Sequence, residues 1–178
     1  MEMKKVPTLR GEELYIPFVG AIIEREIKGK KQILIQTREK RTDNKYSGSL
    51  EVPGGKMRAF EDVYLTLKRE VKEECGLKIT SIRGENKRID HENKEDESSL
   101  IFPFCTTQMK QGPFIGMIFI CSAEGDLIES SEETRDIRWM SIDELKNIVD
   151  NNPGRIYTAF LAPLKEYLNG KKYGEGEL

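Results

Sequence analysis

Three glutamates, Glu70, Glu73 and Glu74, stand at spacing i, i+3, i+4 in the segment Phe60–Gly76. On a helix these positions share one face near the C-terminal end, where the helix dipole already carries partial negative charge. Dipole and like-charge repulsion together penalise that arrangement by roughly 1–4 kcal/mol. Net stability is typically only about 5–15 kcal/mol. A local rule broken this clearly predicts a compensating partner at a functional site. The partner suited to three such carboxylates is a hard divalent cation such as Mg²⁺.

The chain has 178 residues, enough for one domain with its own core. Its net charge of −2 creates no global field toward nucleic acid or anionic lipid, so a phosphate-rich substrate needs local cations. No apolar run reaches the length of a membrane span, and residues 1–11 lack the apolar core of a signal peptide. Cys75, Cys105 and Cys121 are odd in number and widely spaced. They suit a reduced, cytoplasmic protein with buried thiols and argue against a zinc site.

Apolar patterning predicts strands over Tyr15–Glu24, Gln32–Thr37 and Leu50–Val52, the last ended by Pro53-Gly54-Gly55. A helix follows over Phe60–Cys75, stopped by Gly76. Leu77–Ile82 alternates as a strand, and residues 84–99 are polar enough to predict a mobile loop. Strands follow over Phe102–Thr107 and Phe114–Ser122, turning at Gln111-Gly112, then an acidic loop over 124–136 and a strand over Asp136–Met140. Ser141 is placed to cap a helix over Ile142–Asp150. A second helix runs from about Pro153 to Leu168, with Pro163 marking a kink or a late start. The alternation of strands and helices makes the fold class α/β, with a mixed sheet between helices. No linker or repeat divides the chain, which reads as one domain with its core over 15–168 and a loose tail at 170–178.

Around the glutamates the sequence reads Gly55, five residues, Glu61, seven residues, Arg69-Glu70-Val71, Lys72, Glu73-Glu74, Cys75, Gly76-Leu77. It resembles the signature of the Nudix hydrolases with every specified position filled. From average residue frequencies, a chance match is on the order of one in ten million. The flanks Leu50–Lys56 and Asp136–Leu145 resemble the family's as well. On a helical wheel Val63, Leu67 and Val71 form an apolar line beside the carboxylates, while Lys68 and Lys72 point to solvent. The carboxylates therefore belong at a cleft edge.

The resemblance implies a Nudix-type α/β/α sandwich and Mg²⁺- or Mn²⁺-dependent cleavage of a nucleoside diphosphate linked to another group, releasing a nucleoside monophosphate. It implies a metal held by Glu70, Glu73, Glu74 and the Gly54 carbonyl, with support from Glu61. Glu70 is the first candidate for activating water, and Arg69 orients the carboxylates. Lys56, Arg38, Arg41 and Lys45 are candidate phosphate-binding cations, with Lys56 the best placed. Glu133, Glu129 and Glu132 are candidate bases in the acidic loop. His91 reads as a surface residue, and Phe18, Tyr46, Phe102, Phe104 and Phe114 are candidates for stacking on a base, though strand aromatics more often belong to the core. A small-molecule nucleotide is the expected partner, with neither a membrane nor a clear nucleic-acid surface, and homodimers are common in the family. The rival reading is a nucleotide-binding or regulatory module that kept the fold and lost the chemistry, against which the intact set of motif carboxylates argues. A P-loop is excluded, because Gly54-Gly55-Lys56-Met57 lacks its spacing. Whether the substrate is an oxidised nucleotide, an ADP-sugar, a dinucleotide or an RNA end is left open.

Overall fold

The computed structural model describes residues 7–39, 45–94, 96–110 and 112–170. The expected loose tail, from residue 171 onward, and Arg41 lie outside them, as does Gln111 of the expected turn. The strands in chain order are β1 (Thr8–Leu9), β2 (Glu12–Glu13), β3 (Ile16–Ile27), β4 (Lys30–Arg38), β5 (Leu50–Glu51) and β6 (Gly54–Lys56). Helix α1 covers Val63–Cys75. Then come β7 (Lys78–Ile82), β8 (Ile89–Asn93), β9 (Asp96–Leu100), β10 (Cys105–Gln108), β11 (Phe114–Glu124) and β12 (Thr134–Ser141). Helices α2 (Ile142–Asn151) and α3 (Thr158–Leu168) follow.

Eight of these strands form one mixed sheet, with the path β10-β11-β3-β4-β12 and β5, β6 and β7 paired beside it. β11 and β3 run parallel, with Val19 opposite Met117 and Ile23 opposite Cys121. The other pairings in that sheet are antiparallel.

Both faces of the sheet are buried, and the period of two sorts its side chains. Val19, Ala21, Ile23, Leu34 and Phe119 face α1, where Val63, Leu67 and Val71 meet them. Phe18, Ile22, Ile33, Ile35, Ile118 and Ile120 face the opposite way, against Leu145, Ile148, Phe160 and Leu164 of α2 and α3. Full burial of a side chain such as Leu67 or Leu164 contributes about 1.5–3 kcal/mol. This is the expected sandwich, with the acidic helix on one side and the C-terminal helices on the other.

Several boundaries move. α1 begins at Val63 rather than Phe60, because Asp62 stays extended and caps it. The Asp62 carboxylate accepts from the amides of Tyr64 and Leu65 at 2.8 and 3.1 Å. Phe60 precedes it with φ +65°, outside the helical region, and its side chain stands in solvent. Gly76 ends α1 in the left-handed conformation, its amide donating to the Lys72 carbonyl, as its position after the periodic run predicts. β5 ends at Glu51, ahead of Pro53 as expected, and residues 54–56 begin a separate strand, β6, that pairs with β3 instead of β4. α3 makes the late start, at Thr158, after a short 3₁₀ turn over Pro153–Arg155.

The expected loop at 84–99 is instead a 3₁₀ turn, Glu85–Lys87, followed by the exposed hairpin β8–β9, in which Ile89 pairs with Leu100 and His91 with Ser98. Both faces of this hairpin meet water, so no apolar alternation marks it in the sequence. The small β1–β2 hairpin, exposed throughout, escapes sequence reading for the same reason. Among the described residues, no helix is long and apolar enough to cross a membrane.

Candidate active site

The C-terminal half of α1 lies beside β6, where β3 presses Gly54 and Gly55 against it. A β-carbon on Gly54 would stand 2.1 Å from the Val19 carbonyl oxygen. One on Gly55 would stand 2.2 Å from the carboxyl carbon of Glu70. Only glycine allows backbone and carboxylate to approach this closely.

Arg69 organises the other acidic groups. Its Nε and Nη2 donate to the two oxygens of Glu61 at 2.7 and 2.8 Å. Its Nη1 donates to Glu70 at 2.6 Å and to Glu73 at 3.2 Å. One guanidinium thus faces three carboxylates, more negative charge than it can balance. Hydrogen bonding from Arg69 pulls the Glu61 carboxyl down to about 2. Thr66 Oγ1 donates to the same Glu61 carboxylate at 3.0 Å. The Arg69 guanidinium is held above its ordinary range, chiefly by its bond to Glu61.

Glu74 takes a different course. It is 5% exposed, and its Oε2 accepts from Gln36 Nε2 at 2.7 Å and from the Gly54 amide at 3.0 Å. Glu70 is largely covered, while the Glu73 side chain is 54% exposed. The three motif carboxylates therefore fan from interior to solvent rather than meeting at a point. Among the described residues, no three acidic, histidine or cysteine side chains are already gathered as a metal-binding group. The helical wheel fixes only azimuth, whereas Arg69 on one side and Gln36 on the other turn the side chains apart.

Burial pushes the Cys75 thiol well above its ordinary range, reinforced by Glu74 and Glu51. Cys75 and Cys121 are buried, Cys105 is half-buried, and all three are free thiols.

The outer candidates separate. Lys56 is exposed on β6, directly beside the glycine pair. Arg38, a candidate for phosphate, is engaged within the fold. It ends β4, lies largely buried, pairs with Glu51 at 3.2 Å and stacks 4.5 Å from the Tyr157 ring centre. Lys45 lies over Tyr46, which packs edge-on against Tyr157. Glu129, Glu132 and Glu133 are exposed on the loop that crosses the end of α1. The Ile128 amide donates to the Cys75 carbonyl there, and Thr134 Oγ1 reaches the Glu74 carbonyl. Phe18, Phe104 and Phe114 pack in or against the α2–α3 core, and Phe102 is partly exposed. His91 is exposed on β8.

Sequence reading missed Gln36, Thr66, Asp62 and Glu51. Gln36 left a signal: it is a polar residue directly after the apolar run Ile33–Ile35, at the period-two position shared with Leu34, and so points into the core beside α1.

A carboxylate-bearing helix braced against a Gly-Gly strand, on a mixed sheet with helices on both faces, is the Nudix-type arrangement that the sequence resemblance implies. A family model described as the NUDIX domain matches residues 15–160. Solved structures of similar fold include a Nudix hydrolase from Nitrosomonas europaea, with TM-score 0.64 and 19% identity, covering 92% of this chain and 75% of that one. The MutT protein from Methanosarcina mazei Go1 gives TM-score 0.57 and 24% identity over 90% of this chain and 99% of its own. The MutT protein from Bacillus halodurans gives 0.53 and 18% over 88% and 84%. No curated protein matches the chain. The chain belongs to the Nudix family. It is a Nudix pyrophosphohydrolase, a class that acts on nucleoside diphosphate derivatives.

Proposed function

We propose that a single domain, with its core over residues 15–168, hydrolyses the phosphoanhydride of a nucleoside diphosphate linked to another group and releases a nucleoside monophosphate. The reading requires a divalent cation, Mg²⁺ or Mn²⁺, at the α1–β6 junction. The residues there suit one. Their donors are all hard oxygens, and Glu61, Glu70 and Glu73 outnumber the single guanidinium among them. Glu70, Glu73, Glu74 and the Gly54 carbonyl would hold the ion, with Glu61 in support. When bound, it neutralises phosphate oxygens and lowers the pKa of water.

The chain's own residues supply the positioning. Glu70, pressed against Gly55, is the group assigned to take the proton from the attacking water. Arg69 aims Glu70 and Glu73 while anchored on Glu61. Lys56, exposed beside the glycine pair, is assigned to substrate phosphate. Glu133 stands as an auxiliary base on the neighbouring loop. Arg38 is assigned to holding Glu51 rather than phosphate, since its guanidinium is already engaged. Localisation in the cytoplasm belongs to the same reading.

The observation that carries this reading is the Arg69 node, which brings Glu61, Glu70 and Glu73 to one guanidinium beside two glycines. A panel of nucleoside diphosphate derivatives, assayed with Mg²⁺ and analysed for products, tests it. Release of a nucleoside monophosphate from at least one compound is expected. Cleavage of none, by folded protein, contradicts the reading.

A further inference from the structure

Gln36 is a fully buried amide on β4, on the face that packs against α1. A buried amide needs its donors and its acceptor satisfied. Here its Nε2 donates to Glu74 Oε2 at 2.7 Å, and its Oε1 accepts from Cys75 Sγ at 3.3 Å. The Glu74 oxygen that receives Gln36 also receives the Gly54 amide. One carboxylate oxygen thus ties three elements together: α1, the strand that begins with Gly54, and β4.

The order of these bonds matters. An amide can be turned end for end, which would set its oxygen against the Glu74 carboxylate, acceptor against acceptor. The Glu74 carboxylate opposes that turn, and the Cys75 thiol reinforces the order by offering its proton to the oxygen end. Cys75 and Glu74 are adjacent on α1, so one helical turn presents both a group that helps orient Gln36 and the group that Gln36 orients. Gln36 and the Gly54 amide are neutral donors, so they direct Glu74 Oε2 without balancing its charge.

We infer that Gln36 is a positioning residue that holds Glu74 in the geometry for taking a divalent cation, and that Cys75 reinforces the direction of the Gln36 amide. The inference rests on the reading of Glu74 as a metal ligand. Partners of this kind, one step out from a ligand, typically change metal affinity by about 10–100-fold when removed.

The test is Mn²⁺ binding to the full chain, followed by titration calorimetry and by the electron-spin signal of free Mn²⁺, with folding of each variant checked by thermal melting. Gln36→Met keeps length and volume but removes both polar ends, and it should bind Mn²⁺ at least about tenfold more weakly than the wild type. Cys75→Ala removes the donor that holds the amide's oxygen end and should weaken binding in the same direction. Cys75→Ser keeps a donor and should restore it. A folded Gln36→Met protein with wild-type affinity overturns the inference while leaving the metal site standing. Wild-type protein that binds no Mn²⁺ removes the metal reading, and this inference with it. Should Gln36→Met fail to fold, the wild-type protein still decides. Its Gln36 side-chain NH₂ resonances should shift as Mg²⁺ is added, and NH₂ signals that stay fixed while Mg²⁺ binds defeat the proposal.

Discussion

Arg69 holds Glu61 in a two-pronged grip, Nε to one carboxylate oxygen at 2.7 Å and Nη2 to the other at 2.8 Å. The grip reaches from α1 back to the residue before its N-cap and leaves Nη1 for Glu70 and Glu73. A lysine offers a single point charge and cannot reproduce the fork. Arg69→Lys should therefore lower kcat by about tenfold or more, by analogy with other lost orienting partners. It should do so with a folded protein, checked by steady-state kinetics alongside circular dichroism. Unchanged kcat would show that the fork does not position the carboxylates.

The same grip makes stability depend on acid. The Glu61 carboxyl is lowered in the folded protein from 4.5 to about 2, first by the Arg69 hydrogen bonds. A depressed carboxyl stabilises the fold above its unfolded pKa, and that contribution is lost as pH falls from about 4.5 through about 2. Thermal melts across this window should show wild-type Tm falling more steeply than that of Glu61→Gln. Parallel curves would contradict the assignment.

Glu73 and Glu74 should separate stability from activity. Glu73 is half in solvent, and Glu73→Gln should leave stability within about 0.5 kcal/mol while sharply reducing hydrolysis. Glu74→Ala orphans the buried Gln36 amide and should cost about 1–3 kcal/mol as well as activity. Denaturant melts beside rate measurements check the pair. Equal destabilisation by both variants would refute the inside-to-outside gradient along this helical turn.

Gly55 gives a steric test of Glu70. A methyl group there would overlap the Glu70 carboxylate, so Gly55→Ala should displace that side chain and abolish most turnover. The backbone of Gly55 has no left-handed φ, so the cost falls on Glu70 rather than on conformation. A fully active Gly55→Ala enzyme would remove Glu70 from its assigned role.

The layers of this fold were legible because its main strands bury both faces and α1 buries one stripe. The runs around Val19, Ile33 and Ile118, and the line Val63-Leu67-Val71, announce themselves by composition and period. The β8–β9 hairpin was not, since its pairing is held by backbone and by polar links. Arg88, for instance, bonds to Asp62, Asp90 and Ser99. The links to Asp62 and Ser99 join residues 26 and 11 positions away in the chain, which no local pattern reports. The same limit applies at the site. The motif places Glu70, Glu73 and Glu74 on one helical turn, but which way each turns depends on Gln36, Gly54 and Arg69. Arg38 shows the converse: a charge read as a candidate for binding phosphate lies largely buried against Glu51 and Tyr157.

The most direct measurement is the rate of nucleoside monophosphate release as Mg²⁺ is titrated into chelator-stripped protein with a cleavable nucleoside diphosphate derivative. The account predicts no turnover without the ion, saturable activation as it is added, and loss of that activation in Glu70→Gln. Hydrolysis that proceeds at full rate in excess chelator, or that Glu70→Gln leaves intact, would contradict it.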